Sequence, residues 1–167
     1  MVSSTTTDES MSSAVAGGYK RLAYISDSVQ AMSPEELDTL LEKARVRNRE
    51  KGISGILFYL KGCFFQFIEG PAAAIDQLYR NLLADGRHDN VRLVYEQSFE
   101  VLVEGESERI FRNWAMAYQH EDMLDVFIRE RLDVYIDRET GSGEFAELKD
   151  LLEFMASVNA TLVLSKS

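Results

Sequence analysis

Two apolar segments separated by only two residues constrain the fold of this chain more than any other feature. The segments are residues 53–60 (ISGILFYL) and 63–69 (CFFQFIE), and Lys61 and Gly62 lie between them. Runs of this length that are rich in aromatic and β-branched residues are typical of strands. A two-residue connection that ends in glycine is typical of a tight hairpin turn. The sequence therefore predicts an antiparallel hairpin in the middle of the chain.

Gln66 is the unusual residue of this hairpin. Phe64 and Ile68 lie two positions away on either side, and the three share one face because side chains alternate along a strand. If that face belongs to the core, an unsatisfied amide there costs on the order of 1–3 kcal/mol. We therefore expect a polar partner for Gln66. Our hypothesis is that this partner is a ligand, and the alternative is a neighbouring backbone group.

The segments on either side of the hairpin predict two helices. The first begins after Ser33, because Glu36 stands three residues further on as in a capping box, and Gly52 is its expected C-terminal cap. The second begins at Pro71 and carries apolar residues at helical spacing until the Asp-Gly pair at 85–86.

Three further segments are predicted strands. They are residues 19–26 before the first helix, then residues 91–103 and 110–118 after the second, with a polar loop at 87–90. The resulting order, βαββαββ, predicts an α+β fold. We expect a ferredoxin-like sheet with one additional strand and both helices on one face.

The two ends of the chain differ in composition from this core. Residues 1–18 are rich in serine, threonine and glycine, which predicts a disordered lead-in. After a core domain at 19–119, residues 120–167 contain two apolar helical stripes separated by a Gly-Ser-Gly break at 141–143. We expect this C-terminal helical hairpin to pack on the open face of the sheet or to form an oligomer contact.

Composition argues against several classes of function. The formal net charge of −10 at pH 7 disfavours a nucleic-acid partner. One cysteine, Cys63, and two histidines, His88 and His120, disfavour an internal disulfide and a cysteine- or histidine-rich metal site. No apolar run approaches the roughly 20 residues of a membrane span, and the N-terminus lacks the pattern of a signal peptide. We therefore expect a soluble cytoplasmic protein.

Taken together, the segments resemble the BLUF domains, which are blue-light sensors that use FAD. The resemblance extends from residue 20 to about residue 119 and rests on RLAYIS, NREKGISGILFY, GCFFQFIEG, GRHDNV and RNWAM, in that order. Each motif alone is common. The specific signal is the joint occurrence, at these spacings, of Tyr24, Asn48, Gln66 and the pair Trp114 and Met116.

The resemblance implies that FAD binds noncovalently, with its ring between the two helices and the sheet beneath. It implies that Tyr24 lies beside the flavin and that Gln66 lies between this tyrosine and the ring. It assigns Asn48 to the pyrimidine edge of the ring, whose carbonyl and N–H groups a carboxamide can satisfy.

The remaining assignments concern the outer parts of the flavin and the output of the signal. Arg47 occupies the polar position before the asparagine, and Arg87 and His88 match the loop that helps to hold the flavin's outer parts. Trp114 and Met116 match a pair on the last strand. Without the resemblance, each of these residues has an ordinary reading as core filling, helix end or solvated loop.

The implied function is that of a photoreceptor and not of an enzyme. Tyr24 would give an electron and its proton, and Gln66 would relay that proton and then rotate or change tautomer. The rearranged hydrogen bonds would shift the flavin absorption slightly to the red and reverse in the dark. The signal would leave through Trp114 and Met116 to the C-terminal helices, and from there to a downstream protein partner or a homo-oligomer.

Two other classes of function remain open on the same fold. One is an acylphosphatase-like hydrolase that works with an arginine and an asparagine, and the other is a colourless ligand-binding or scaffolding module. The colour of the purified protein separates them, since only the flavin sensor is yellow.

Overall fold

The computed structural model describes residues 18–100, 109–111, 115–120, 129–130 and 157–158. The named elements follow the predicted order, and the α+β ferredoxin-like prediction is confirmed. They are strand β1 (Gly18–Ser28), helix α1 (Pro34–Glu50), strands β2 (Ser54–Leu60) and β3 (Cys63–Pro71), helix α2 (Ala72–Leu83), and strands β4 (His88–Glu100) and β5 (Ala117–His120).

The strands form one sheet in the order β4-β1-β3-β2-β5. Neighbouring strands run antiparallel except for β5, which pairs with β2 in parallel. The predicted hairpin is β2–β3, and both turn residues adopt positive φ, 51° at Lys61 and 73° at Gly62. Two positive φ angles in a two-residue turn match the twist of the flanking strands.

Helix α1 begins and ends as the sequence predicts. The Ser33 hydroxyl accepts the Glu36 N–H at 3.2 Å, and the Glu36 carboxylate accepts the Ser33 N–H at 2.9 Å. At the other end Gly52 takes a φ of 68°, where a side chain would be strained. The Ile53 N–H then donates to the Asn48 carbonyl at 2.8 Å, which turns the chain into β2.

Both faces of the central strands are buried. The face toward the helices carries an apolar cluster that includes Leu22, Tyr24, Leu57, Phe64 and Ile68. Because side chains alternate, the next residues along each strand point to the far face. That face carries a second set of fully buried side chains, which includes Phe58, Phe65, Phe67 and Phe111.

Two predicted strand starts are wrong by three or more residues. The polar loop expected at 87–90 is strand from His88 onward, because His88 pairs with Ser28 across the sheet. The strand expected at 110–118 begins only at Ala117, and the described residues before it are not strand. There the Phe111 N–H donates to a side chain, the Glu69 carboxylate.

Several predictions lie outside the described residues. They are the disordered lead-in except for Gly18, the end of the 91–103 strand, Trp114, and nearly all of the C-terminal helical hairpin. The domain limits at residues 18 and 119 therefore stay predictions. Within the part of the chain that the structure describes, neither helix is long and apolar enough to cross a membrane.

Candidate functional site

Tyr24 and Gln66 face each other across strands β1 and β3. They are direct register partners, and the Tyr24 hydroxyl donates a hydrogen bond to Oε1 of Gln66. Tyr24 is 2% exposed. Burial, with a smaller contribution from the negative charge of Asp85, raises the pKa of the Tyr24 phenol well above its usual value. The phenol is therefore neutral and keeps the proton that it donates to the amide.

The other end of the Gln66 amide lies against a methionine. Its Nε2 donates to the sulfur of Met116 at 3.3 Å, and Met116 is 3% exposed. A thioether is a weak acceptor. The amide therefore has a good partner at its oxygen and a poor one at its nitrogen, so any stronger acceptor in the cavity competes for that N–H.

Asn48 ties the end of α1 to the segment that precedes β5. Its side chain is in the last turn of the helix and is 4% exposed, and its Nδ2 donates to the Ala115 carbonyl at 2.8 Å. One turn earlier, Arg45 Nε donates to the Met116 carbonyl at 2.9 Å. Residues 115–116 are therefore held between α1 and the Gln66 amide.

A cavity opens between α1 and α2, above β1 and β3. Its lining is part apolar and part polar, and the apolar part includes Leu40, Leu41, Ala44, Leu57, Leu78 and Leu82. Seven of the eight predicted site residues line it: Tyr24, Arg47, Asn48, Gln66, Arg87, His88 and Met116. Trp114, the eighth, lies outside the described residues.

The Arg87 side chain forms an ion pair with Asp85 at the edge of this cavity. Arg87 Nε donates to the Asp85 carboxylate at 2.9 Å, and these hydrogen bonds hold the pKa of Asp85 at about 2. Arg87 also lines a second cavity of about 610 Å³, which is bounded by residues 28–32 and the first turns of α1. Arg87 is therefore the residue that the two cavities share.

His88 lies deeper, beside the tyrosine. Its Nδ1 is 2.7 Å from the Ser26 hydroxyl, and its ring is edge-on to the Tyr24 ring at 6.4 Å between centroids. Burial lowers the pKa of His88, so the imidazole is neutral at pH 7.

The first cavity has a volume of about 130 Å³, and the chemistry of its lining suits a flat heteroaromatic group. Leucine and alanine side chains give two apolar walls, and the carboxamides of Asn48 and Gln66 supply both donors and acceptors. A flavin ring has this chemistry, with apolar faces and an edge of carbonyl and N–H groups. The donor set of the cavity therefore suits the group that the sequence implies.

Sequence reasoning missed Arg45 and Asp85. Arg45 stands three residues before Asn48, which places both on one face of α1, and this spacing is the signal that could have found it. No sequence pattern indicated a role for Asp85, because its pairing with Arg87 depends on the conformation of the turn between them.

This fold, with a carboxamide-lined cavity between its helices, is that of a small α+β domain whose cavity has the chemistry to hold a flat aromatic cofactor. The family model for BLUF, sensors of blue-light using FAD, matches residues 19–117. The chain therefore belongs to the BLUF family: it is a blue-light sensor, and its cofactor is FAD.

The sequence of a curated relative agrees with this assignment. The photoactivated adenylate cyclase subunit beta of Euglena gracilis is 32% identical over 107 residues, which are 64% of this chain and 12% of the relative. The chain thus spans only a small part of that protein.

Two solved structures are similar in fold. BlrB, a BLUF protein in its dark state, has a TM-score of 0.65 and 28% identity, and the match covers 86% of this chain and 98% of BlrB. A bacterial light-regulated adenylyl cyclase has a TM-score of 0.61 and 30% identity, over 74% of this chain and 34% of the cyclase.

Proposed function

We propose that Tyr24 and Gln66 form the photoactive switch of this blue-light sensor. The observation that carries the proposal is the chain of contacts from the Tyr24 hydroxyl through the Gln66 amide to the Met116 sulfur, at the wall of the cavity. FAD, when bound, supplies the absorption of blue light and an excited ring that accepts an electron.

The phenol and the amide have complementary tasks. The Tyr24 phenol holds its proton in the dark, since burial keeps its pKa high. When it gives up an electron, its O–H becomes a strong acid, and the proton leaves along the existing hydrogen bond to Gln66 Oε1. Gln66 in turn gives up a proton from its Nε2, so that the side chain is left neutral as its tautomer or, after rotation and return of the proton and electron to Tyr24, as a turned amide. Either form exchanges donor and acceptor positions toward the cavity and would shift the absorption slightly to the red.

The binding roles follow from position along the cavity. Asn48 and Arg47, at the end of α1, are our candidates for the pyrimidine edge of the ring. Arg87 and His88 are our candidates for the outer parts of FAD. The second cavity supports this assignment, because Arg87 lines both spaces and its guanidinium would lie beside a dinucleotide that extended from the first cavity into the second.

The output leaves through the segment around Met116. A turn of the Gln66 amide removes its hydrogen bond to the sulfur, and residues 115–116 precede β5 directly. Trp114 is the second member of this relay. We infer that the C-terminal helices, a downstream protein partner or a change of assembly receives the signal, and that the chain works as a cytoplasmic sensor module and not as an enzyme.

The hydrolase alternative receives no support from the site. An acylphosphatase-type enzyme needs an arginine that offers its donors to a phosphate. In this structure Asp85 accepts hydrogen bonds from the Arg87 guanidinium and the Arg47 Nε donates to the Lys43 carbonyl at 3.3 Å, and the donors that remain on these two arginines are the ones that we assign to FAD.

Absorption spectra before and after blue light test the proposed switch. In the Gln66→Leu variant we expect bound flavin and no red shift, because leucine fills the space without an amide. Gln77→Leu is the matched control, since Gln77 is exposed on α2 and its variant should shift as the wild type does. A full red shift in Gln66→Leu would refute the switch.

A further inference from the structure

A buried carboxylate lies on the far face of the sheet, opposite the cavity. Glu69 follows Gln66 by three residues on β3, so the two side chains point to opposite faces. Glu69 is fully buried, at 0% exposure. Burying a charged carboxylate is unfavourable unless it is paired, so the polar partners of Glu69 indicate which part of the structure it stabilises.

Glu69 has two partners in the described residues. Its Oε2 accepts from Arg21 Nε at 3.3 Å, and its Oε1 accepts the backbone N–H of Phe111 at 2.7 Å. Burial raises the pKa of Glu69, and the Phe111 amide and the Arg21 guanidinium oppose this effect only in part. The carboxylate is therefore costly to bury, and one of its two oxygens is committed to a backbone group of a non-strand segment.

The same segment is fixed at both of its ends. Arg109 donates to the Gly52 carbonyl at 2.7 Å and lies over the Tyr19 ring at 5.0 Å. The Phe111 ring is fully buried against Phe67, with 5.7 Å between ring centroids. These contacts hold residues 109–111 to the far face of the sheet.

Further along the chain, the contacts come from the cavity side of the sheet. Residues 115 and 116 are bound by Asn48, Arg45 and Gln66. Only three residues separate the two anchored ends, so movement at Met116 cannot be absorbed by a long loop. We expect it to pass forward into β5 or backward into residues 109–111.

We propose that Glu69 is a positioning residue of the light response, which fixes Phe111 so that movement at Met116 is delivered into β5. This inference rests on the proposed function of Gln66 and adds a second anchor to it. The carboxylate touches neither the cavity nor the amide, and it acts only through the backbone of residue 111.

The test separates the red shift from the response of the segment. Hydrogen exchange of residues 109–120 is measured by mass spectrometry in the dark and under blue light, on the flavin-loaded full chain. The emission of Trp114, the single tryptophan, gives a second readout of the same segment. The red shift reports Gln66 independently of both.

The main variant is the pair Arg21→Met with Glu69→Leu, which removes both buried charges and leaves neither unpaired. We expect it to keep the red shift. Dark exchange at Phe111 should become about three- to tenfold faster, the factor for one lost hydrogen bond. The light-minus-dark difference of the segment should fall to a small fraction of that in the wild type.

Two single variants extend the test. Glu69→Asp keeps the charge, but its carboxylate is one methylene further from the Phe111 N–H. It should therefore also lose the light-minus-dark difference of the segment, and it replaces the double variant if that variant does not fold. Glu69→Gln keeps an acceptor oxygen at the original length and should restore most of the response. The matched control is Lys20→Met with Asp76→Leu and Glu96→Leu, which removes a three-residue ion-pair cluster with contacts of 2.6 Å that does not bind this segment.

The outcomes are distinct. A retained red shift with a lost segment response supports the anchor. A retained red shift with a full segment response overturns it, and so does loss of both signals in these variants alone, since that marks a general structural role. If the wild type itself shows no red shift, the proposed function has failed and not only the anchor.

Discussion

The hydroxyl of Tyr24 donates a hydrogen bond to the side-chain carbonyl of Gln66, its direct register partner on the neighbouring antiparallel strand. The backbone ladder of β1 and β3 therefore sets the position of the phenol against the amide, and no loop intervenes. A switch built in this way needs only the amide to move. We expect the phenol–amide contact to be the most sensitive point of the sensor.

Replacing Tyr24 by phenylalanine should abolish the red shift while flavin stays bound. The ring still fills the core, but the O–H that supplies the proton is gone. The free energy of unfolding should fall by about 1 kcal/mol, because one buried hydrogen bond is lost. Absorption spectra and urea unfolding measure the two effects.

Tyr79→Phe is the control for this variant. The Tyr79 ring lies 6.3 Å from the Tyr24 ring, but its hydroxyl is not bound to Gln66 in the described structure. A normal red shift in Tyr24→Phe would show that the proton comes from elsewhere.

Replacing Met116 by leucine should slow the return to the dark state about two- to threefold. The change conserves volume but removes the sulfur that accepts from Gln66 Nε2. Because this weak bond belongs to the dark arrangement, its loss favours the turned amide by a few tenths of a kcal/mol. The decay of the red shift after illumination measures the rate.

Met32→Leu is the matched control, since Met32 packs against the same apolar cluster but lines the second cavity and not the one that contains Gln66. Unchanged recovery in Met116→Leu, or equal slowing in both variants, would contradict a role for the sulfur.

Replacing Asn48 by alanine should weaken FAD binding by about ten- to a hundredfold. Loss of a buried amide costs about 1–3 kcal/mol when its partners are left unsatisfied, and the Ala115 carbonyl also loses its donor. Titration of the flavin-free protein with FAD measures the affinity. The exposed substitution Gln77→Ala should leave it unchanged, and wild-type affinity in Asn48→Ala would exclude the assigned contact.

Acidification should destabilise the domain through His88. Burial lowers its pKa below the ordinary 6.5, so the unfolded chain binds more protons once the pH falls below that value. Stability contributed by the neutral imidazole is therefore present at pH 7.5 and is lost progressively below about 6.5. Urea unfolding at several pH values measures the slope.

His88→Gln should flatten this slope, because the glutamine side chain does not titrate and His120 is retained. An unchanged slope in the variant, or a measured His88 pKa above 6.5, would contradict a neutral buried imidazole.

Local patterns in the sequence predict much of this fold. The Ser33–Glu36 capping box, the glycine at 52 and the turn at Lys61 depend on nearby residues alone, and all three are confirmed. The beginning of β4 was mispredicted because His88 is polar in sequence but pairs with Ser28 in the sheet.

The candidate site also has a part that the sequence predicts and a part that it does not. Tyr24, Asn48 and Gln66 could be chosen from the resemblance, and the structure brings them to one cavity. The Glu69 anchor could not be foreseen, since its acceptor role needs the Phe111 backbone, 42 positions away in the chain. Contacts between side chains and distant backbone groups leave no periodic trace in a sequence.

Infrared difference spectroscopy of the flavin-loaded chain tests the movement of the Gln66 amide most directly. With isotope-labelled glutamine, we predict a light-induced shift of a side-chain carbonyl band that disappears in Gln66→Leu and persists in Gln77→Leu. A light-minus-dark spectrum that shows the flavin change but no band dependent on Gln66 would contradict a turning amide.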